Sequence, residues 1–305
     1  MKYLHIGYNI CGIPSAIARV QKTHDIDSKV LGFVPEIGHP ADEEVITWNS
    51  FLMTYTILTK FLDYDVFHFH CITCTKSGID ILLWKLLGKK VVIHYHGSDI
   101  RNKKQKFFHK FANAWFVSTP DLLTFIPDAE WMPSPIFLED YPEKIINNRS
   151  AMQIIMHAPS NTEVKGTRFL EDAMHYIQNH VGCSKLQLIT GMPYQEAIQE
   201  YRNATVMVDQ LLIGWYGMVA LEAMAMKIPV LCYITPGLKL YLPRETALKI
   251  TDINTIGVDL VELLQNKERL EKLSQNGYKY VKYVHSPEKA YIMIMRKIVY
   301  DLPSR

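Results

Sequence analysis

Glu222 lies one turn inside a predicted helix, Val219 to Met226, that follows a turn containing Gly214 and Gly217. Backbone N–H groups at a helix start lack partners within the helix and bind anions well, so phosphate groups fit this place. A carboxylate repels phosphate but accepts hydrogen bonds from neighbouring hydroxyls, such as those of a ribose. The pattern therefore predicts a nucleotide-diphosphate site. The alternative is a plain turn before a helix, with Glu222 in solvent.

A second candidate for phosphate chemistry is HAPSNTEVKGT, residues 157–167, between a predicted strand and a predicted helix. Lys165 could place a positive charge on a diphosphate, and Ser160 and Asn161 could add hydrogen-bond donors. A lysine near a helix start opposes the charge favoured there, which suggests a functional reason for it. The alternative is an ordinary surface lysine.

Histidines alternate at the ends of two predicted strands, His68 with His70 and His94 with His96. Alternate residues of a strand point to the same face, so each pair shares a face. Two His-x-His pairs near one Cys-x-x-Cys pair permit a metal site, but a structural zinc usually needs two such knuckles. We therefore expect hydrogen-bonded histidines at strand ends and no metal.

Predicted strands and helices alternate through the whole chain and restart after a proline-, acidic- and asparagine-containing stretch at 136–150. Strands separated by helices predict parallel sheets covered on both faces. We expect an α/β fold with two Rossmann-like, doubly wound domains, residues 1–140 and 150–285, and a terminal helix at 286–305 that returns to the first domain. Ligands of such sheets bind at the carboxyl ends of the strands.

Helix signals define the elements between these strands. Ser15 is a possible N-cap of the first helix, and Ser286-Pro287 predicts a break in the last one. The predicted helices are Ser15–Gln21, Phe51–Leu62, Ile79–Leu87, Thr167–His180, Tyr194–Asn203, Val219–Met226, Val258–Asn276 and Tyr278–Asp301. The predicted strands are Lys2–Gly7, Lys29–Val34, Val66–His70, Lys90–His94, Ala114–Ser118, Gln153–His157, Lys185–Thr190, Ala204–Val208, Val230–Ile234 and Ala247–Ile250.

Composition is that of a soluble globular protein: the 305 residues are 48% hydrophobic and 21% charged, with a formal net charge of +2. This charge gives no indication of a nucleic-acid binder. The five cysteines lack framework spacing and indicate a reducing compartment. The first residues lack a signal-peptide core, and no stretch approaches the ~20 apolar residues of a membrane span. We therefore expect a cytoplasmic protein.

The run KKQKFFHKF, Lys103 to Phe111, mixes lysines with phenylalanines. Such a stretch suits a peripheral contact with an anionic lipid surface, for instance the inner membrane face. The alternative is a solvated helix with its phenylalanines in the core.

Residues 209–233, DQLLIGWYGMVALEAMAMKIPVLCY, resemble the donor-site segment of family-4-like, glycogen-synthase-like glycosyltransferases of the GT-B fold. That family carries Glu-Gly-Phe-Gly, four further residues, Glu-Ala-Met-Ala and a Pro-Val strand. The matching residues are Gly217, Leu221, Glu222, Ala223, Met224, Ala225, Pro229 and Val230. The family's first glutamate falls at Gly214, and Asp209 and Gln210 are candidates to replace it. Ser160 holds the position of a family arginine, which His157 could partly replace.

The resemblance implies two domains that face a cleft, a nucleotide-diphosphate sugar as donor substrate, and no cofactor or metal. Glu222 would bind the ribose, and Lys165 with the turn Gly214 to Met218 would bind the diphosphate. The implied donor-binding residues are Glu222, Lys165, Gly214, Tyr216, Gly217, Met218, Ser160, Asn161, Gly191 in the base-binding loop and Gly12. His96 matches the family's first-domain histidine, and HGSDIR is similar to polysaccharide-assembly enzymes, which implies catalytic roles for His96, Asp99 and Arg101.

The resemblance thus implies a hexosyltransferase-type enzyme of polysaccharide biosynthesis that transfers sugar to a glycan or lipid-linked acceptor, with retention at the anomeric carbon. Asp99 has an alternative role as the cap of a turn. One alternative function is a nucleotide-sugar epimerase or a sugar phosphorylase on the same fold. Another is a non-catalytic scaffold or regulatory protein, because two family charges are missing, at Gly214 and Ser160. A serine hydrolase is unsupported, since the sequence has no GxSxG elbow.

Overall fold

The chain divides into two compact units, each with its own sheet. The structure is a computed structural model that describes residues 1–33, 41–45, 49–145, 152–245 and 247–299. Unit 1 comprises Met1–Pro135 and His285–Arg305, and unit 2 comprises Ile136–Val284. The assignment of acceptor binding to the first domain and donor binding to the second stays a prediction.

Unit 1 is built on a parallel sheet of seven strands in the order β3-β2-β1-β4-β5-β6-β7. The strands are β1 Lys2–Gly7, β2 Asp27–Phe33, β3 Glu43–Val45, β4 Val66–His70, β5 Lys90–Tyr95, β6 Ala114–Val117 and β7 Glu130–Trp131. The central strands β1, β4 and β5 are buried almost throughout, as expected for a sheet covered on both faces. Their carboxyl ends lie side by side, because Gly7 pairs with His70 and His70 pairs with His94.

Helices cover both faces of this sheet. Helices α2 (Ser50–Lys60) and α3 (Asp80–Leu86) bury Met53, Ile57 and Trp84 in one apolar cluster with alternate residues of the strands. On the opposite face, α1 (Ile13–Thr23) packs against the terminal helix α10 (Pro287–Val299). The predicted return of the terminal helix to the first domain is therefore confirmed.

Unit 2 is built on a parallel sheet of five strands in the order β12-β11-β10-β8-β9. The strands are β8 Gln153–His157, β9 Ser184–Leu188, β10 Val206–Val208, β11 Val230–Cys232 and β12 Lys249–Ile250. The helices are α4 Thr162–Lys165, α5 Thr167–Val181, α6 Tyr194–Tyr201, α7 Met218–Ala225, α8 Ile256–Leu264 and α9 Lys267–Val284. Two Rossmann-like parallel-sheet units are thus as predicted.

Two helix predictions are wrong, for local reasons. The predicted helix Val258–Asn276 is two helices, α8 and α9, because the Asn266 side chain accepts the backbone N–H of Arg269 at 2.9 Å and starts a new helix. Ser15 does not cap α1, which begins at Ile13 after Gly12 in the left-handed region at φ +68°. Among the residues described, no helix combines the length and the apolarity needed to cross a bilayer.

Candidate functional site

Asp209 organises the carboxyl edge of the sheet in unit 2. It follows β10, and its carboxylate is buried. The carboxylate accepts a hydrogen bond of 3.0 Å from the Lys165 ammonium and one of 2.5 Å from the backbone N–H of Gly217. The Lys165 side chain is only 12% exposed. A Cβ placed on Gly217 would lie 3.2 Å from the Lys165 Nζ. One carboxylate therefore holds a cation against the first turn of α7.

The start of α7 is the part of this arrangement where an anion could bind. The first four N–H groups of a helix have no acceptor within it, and Asp209 takes that of Gly217. The next residues, Met218 and Val219, are partly exposed. Because Lys165 and Asp209 form an ion pair, the helix dipole would supply much of the attraction for an incoming phosphate.

Glu222 is buried on α7, at 4% exposure, so the alternative of a solvated glutamate is wrong. Its carboxylate accepts a hydrogen bond of 3.1 Å from the Tyr194 hydroxyl, which also contacts the Tyr141 hydroxyl at 3.0 Å. Burial raises the pKa of Glu222 to about 7, with the Tyr194 hydrogen bond lowering it and the charge of Asp209 raising it. The carboxyl is therefore only partly ionised at neutral pH, and Tyr194 occupies one acceptor position that a ribose hydroxyl would need.

The glycine turn before α7 is fixed by buried side chains. Gly214 has φ +92°, and a Cβ there would lie 2.2 Å from the Thr235 Oγ1, so only glycine fits without a shift. The fully buried Gln210 holds this turn, donating to the carbonyls of Trp215 at 3.0 Å and Tyr233 at 2.7 Å. Tyr216 is buried, and its hydroxyl lies 2.7 Å from that of Tyr280. A contact between Tyr216 and a donor would therefore use its backbone.

The loop after β8 contains Asn161 and Ser160, which were predicted to donate hydrogen bonds to a phosphate. Asn161 caps α4 by accepting the Val164 N–H at 2.9 Å, while Ser160 is exposed. His157 does not stand in for an arginine, because it is buried and both ring nitrogens are engaged, with the Val208 carbonyl at 2.7 Å and the Thr167 hydroxyl at 2.9 Å. Gly191 is exposed at φ +65° in the loop before α6.

Unit 1 carries a buried group of imidazoles at the corresponding sheet edge. We call His5, His68, His70, His94 and His96 the histidine row. Four of them lie on one face of β1, β4 and β5, because His5 pairs with His68, His70 pairs with His94, and alternate residues share a face. His96 directly follows the end of β5. Burial lowers the pKa of His5 and His96 to about 4 and that of the other three well below the usual range. The rings are therefore neutral at pH 7.

A continuous hydrogen-bond chain connects four of these rings. It runs from Gln21 to His5, His70, His96, Ser118 and His94, with contacts of 2.9, 2.9, 3.0, 2.8 and 3.0 Å. His96 is the partly exposed member, and both of its ring nitrogens are engaged, by His70 and by Ser118. His68 instead contacts the Tyr3 hydroxyl at 2.9 Å.

The histidine row contains two groups that resemble metal sites in composition, His5 with His68 and His70, and His70 with His94 and His96. In each group the candidate ligand atoms lie within 4.8 Å of one another. A tetrahedral zinc with bonds of about 2.0–2.1 Å would bring them to roughly 3.3 Å, so a metal would have to draw the rings together. The expectation of no metal stays a prediction.

The other catalytic candidates of unit 1 are held in local contacts. Asp99 accepts the backbone N–H groups of His96 at 3.1 Å and Gly97 at 2.6 Å, which is the turn-capping role named above as its alternative. Arg101 pairs with Asp121 at 2.8 Å. Gly12 begins α1. Of the three predicted catalytic residues, His96 and Asp99 are in contact, because the Asp99 carboxylate accepts the backbone N–H of His96.

The basic aromatic run Lys103–Phe111 forms a 3-10 helix only at Phe107–Phe111. Phe107 is 65% exposed and Phe111 is also exposed, so the alternative with the phenylalanines in the core is wrong for these two residues. This short helix packs beside α3, whose Leu86 is 86% exposed.

Sequence reasoning missed four participants of these two sites. The Tyr194 hydroxyl donates to Glu222 and contacts the Tyr141 hydroxyl, whereas Gln21 begins the hydrogen-bond chain and Ser118 joins His96 to His94. The alternating histidines are the sequence feature that points to the histidine row. They predict that the histidines share one face of the sheet, but they do not show which residues of other elements contact them.

Comparisons with known proteins support the fold. No protein-family model matches the sequence, and no curated protein matches it. Among solved structures, the chain is similar to Anabaena HepE in complex with UDP-glucose, with a TM-score of 0.69 and 13% identity over 99% of this chain and 100% of that one.

Two further solved structures are similar to this chain over nearly their whole length. Sucrose-phosphate synthase from Thermosynechococcus elongatus has a TM-score of 0.67 and 12% identity, covering 97% of this chain and 98% of that one. The catalytic domain of starch synthase IV from Arabidopsis thaliana, bound to ADP and acarbose, has a TM-score of 0.71 and 8% identity, covering 96% and 99%. At these identities the likeness establishes architecture, and the chain has the GT-B fold of these proteins.

Proposed function

We propose that this chain is a glycosyltransferase that moves a sugar from a nucleotide-diphosphate sugar to a hydroxyl of a glycan or lipid-linked acceptor. The observation that supports this most is the contact set around Asp209, which places the Lys165 ammonium beside the start of α7. Glu222 lies one turn further along the same helix, where it is buried and accepts a hydrogen bond from Tyr194. An anion site followed by a hydroxyl-binding carboxylate suits a nucleotide diphosphate.

In the reaction, the bond between the anomeric carbon and the diphosphate oxygen breaks, and its electron pair stays on the diphosphate. The acceptor oxygen forms the new bond to the anomeric carbon. With retention, the acceptor approaches from the face that the diphosphate leaves, and its hydroxyl proton passes to the departing phosphate oxygen. Lys165 and the N–H groups of α7 stabilise the charge that grows on the leaving group, which lowers the barrier.

The remaining predicted residues complete the proposal. His96, Asp99 and Arg101 serve the donor sugar, Gly191 lies in the loop that receives the base, and Gly12 belongs to the first loop of unit 1. We propose that no cofactor takes part and that no metal is needed. Transfer that survives EDTA supports this, and transfer restored by added Mg²⁺ or Mn²⁺ after EDTA contradicts it.

Nucleotide binding is tested by calorimetry with UDP, ADP and GDP on the full chain. Lys165→Met should weaken the binding of the best diphosphate at least tenfold, because the cation beside α7 is lost. Lys227→Met is the matched control, since Lys227 pairs with Glu143 on the surface of the same unit. Equal losses in both variants, or none, would remove the proposed role of Lys165.

The ribose contact is tested in the same way. Glu222→Gln should weaken diphosphate binding several-fold, since an amide oxygen is a poorer acceptor than a carboxylate. Glu262→Gln, a surface position paired with Arg269, should leave it unchanged. Donor sugars incubated with and without acceptor then separate transfer from epimerisation and from phosphorolysis, while a scaffold protein would show no diphosphate binding.

We also propose that unit 1 contacts an anionic lipid surface through Phe107, Phe111 and Leu86. Exposed lysines surround these residues, among them Lys104 and Lys110. Each lysine near an anionic surface contributes about 1 kcal/mol, so binding should be weak and salt-sensitive. The compartment of the protein stays a prediction.

Vesicle sedimentation tests this contact. Vesicles of phosphatidylcholine with phosphatidylglycerol should bind the chain, and pure phosphatidylcholine should not. The change of Phe107 and Phe111 to Ser should abolish binding, whereas Tyr283→Ser should not, because Tyr283 is 68% exposed but belongs to unit 2. Equal sedimentation with both vesicle types would contradict the proposal.

A further inference from the structure

The hydrogen-bond chain in unit 1 fixes where each proton lies. A neutral imidazole carries a proton on one nitrogen and a lone pair on the other, so each ring donates one bond and accepts one. Burial keeps these rings neutral at pH 7, as described above. Once one end of the chain is known to be an acceptor, the direction of every following bond is determined.

Gln21 provides that end. Its Oε1 lies 2.9 Å from His5 Nε2 and accepts the Ser28 hydroxyl at 2.7 Å, and carbonyl oxygen is an acceptor only. His5 Nε2 therefore carries the proton, and His5 Nδ1 accepts. His70 Nε2 lies 2.9 Å from that Nδ1, so it must be the donor.

The same logic carries the order to His96. His70 Nδ1 is left as an acceptor, and His96 Nε2 at 3.0 Å is its donor. His96 Nδ1 then accepts the Ser118 hydroxyl at 2.8 Å, and Ser118 Oγ accepts from His94 Nε2 at 3.0 Å. The chain ends at His94 Nδ1, a buried atom with no hydrogen-bond partner among the residues that the structure describes, as expected for a ring nitrogen that carries a lone pair.

We propose that Gln21 is a positioning residue that fixes the proton of His96 on Nε2, through His5 and His70, so that His96 meets a substrate hydroxyl as an acceptor at Nδ1. The role toward substrate rests on the proposed function, whereas the proton order does not. The N–H of His96 points to His70 within the sheet edge. A substrate hydroxyl that displaces the Ser118 hydroxyl therefore donates to His96.

This changes the expected contribution of His96. A histidine beside a leaving group would ordinarily be expected to donate a hydrogen bond to the leaving oxygen or to a sugar hydroxyl. In the ordered chain, His96 has no N–H to offer without breaking its bond to His70. Its contribution is to orient a hydroxyl by accepting its hydrogen, with Gln21 on α1 setting this preference from the far end of the chain.

Long-range ¹H–¹⁵N correlation spectra of the full chain, labelled with ¹⁵N-histidine, read the tautomer of each ring at pH 7.5. His5, His70, His94 and His96 should all carry the proton on Nε2. His157 and His285 give an internal reference of opposite type, because their Nδ1 atoms face the carbonyls of Val208 at 2.7 Å and Ser134 at 2.8 Å. A proton on Nδ1 of His96 overturns the proposal, as does a mixture of both forms.

Variants of Gln21 test its control. Gln21→Met removes the acceptor at similar length, and His96 should then show both tautomers. Gln21→Glu keeps an acceptor oxygen and should retain the Nε2–H form. Gln178→Met is the matched control, since Gln178 bonds the Ser184 carbonyl in unit 2 and should leave the row unchanged.

The outcomes separate this inference from the proposed function. If His96 keeps its Nε2 proton in Gln21→Met, Gln21 does not set the order and the inference fails. Should Gln21→Met not fold, loss of the Nε2–H form of His96 in Gln21→Glu would contradict the inference equally. The spectra need no substrate, so a chain without transferase activity still tests the proton order. An active chain with the protons on Nδ1 would contradict the inference and leave the proposed function intact.

Discussion

The carboxyl edges of the two sheets keep polar groups buried in opposite ways. In unit 1 the histidine row is neutral, and its members bond one another and a serine. In unit 2, Lys165 and Asp209 form an ion pair at 3.0 Å, and Glu222 has a hydroxyl partner and a raised pKa. Similar parallel sheets thus present a neutral, proton-ordered edge and a charged edge suited to anions.

As pH falls, the buried histidines of unit 1 and the buried Glu222 of unit 2 change stability in opposite directions. A histidine whose folded pKa lies below its unfolded value stabilises the fold above the unfolded pKa, and this is lost as pH drops from about 6.5 toward 4. A carboxyl whose folded pKa is raised behaves in the opposite way, so Glu222 becomes less costly as pH falls from about 7 toward 4.5.

The largest expected effect is acid destabilisation of unit 1. Between pH 7 and pH 5, His5 and His96 should each remove roughly 2 kcal/mol from its free energy of unfolding. In a Trp215→Phe variant every remaining tryptophan belongs to residues 1–135, so fluorescence during urea unfolding reports on this unit. A urea midpoint unchanged at pH 5 would mean that the row is not neutral and buried.

Next in size is the loss of the buried carboxylate in unit 2. Asp209→Ala leaves Lys165 and the Gly217 N–H without their shared partner, and breaking a buried ion pair costs about 3–5 kcal/mol. The matched change in unit 1 is Asp121→Ala, whose partner Arg101 is 29% exposed and should cost about 1 kcal/mol or less. Urea unfolding followed by circular dichroism compares them, and equal losses would erase the contrast between the edges.

Substitution of a glycine by alanine should cost different amounts of stability at the two sheet edges. A Cβ on Gly7, at φ +132°, would lie 2.3 Å from the His70 carbonyl oxygen, which is backbone and cannot rotate away. A Cβ on Gly214 would meet the Thr235 hydroxyl, which can. We expect Gly7→Ala to cost about 3 kcal/mol and Gly214→Ala about half of that, measured as thermal midpoints. The reverse order would show that Thr235 is held rigidly.

One expected effect has the opposite sign. Glu222→Gln removes a carboxyl that is costly to ionise, so at pH 8 the variant should be more stable than the parent by about 2 kcal/mol, with a gain that vanishes near pH 4. Denaturant midpoints across this range check it. A constant difference at every pH would mean that Glu222 keeps an ordinary pKa in the folded chain.

The architecture was accessible from sequence because it rests on local patterns. Buried runs such as VFHFH at β4 and VLC at β11, with helices between them, specify parallel strands whatever their neighbours. The split between α8 and α9 was missed, since the apolar pattern continues across Asn266 and only its side-chain cap reveals the new start.

Side-chain partners were less accessible, because they depend on elements distant in sequence. The spacing of Lys165 and Glu222 indicated phosphate and ribose chemistry, yet nothing in it shows that Asp209 holds the lysine or that Tyr194 stands over the glutamate. Likewise, Gln21 looks like any polar residue near the end of α1, although its oxygen terminates the hydrogen-bond chain.

Helix α10 has a consequence for the order in which the protein is made. It packs on α1, with His24 in contact with Glu288 at 2.8 Å and Arg296 paired with Glu130, so unit 1 needs a segment that the ribosome adds after all of unit 2. During translation, unit 2 can finish folding while unit 1 still lacks its cover on the α1 face. The face of α1 that α10 covers is therefore among the last surfaces of unit 1 to be buried.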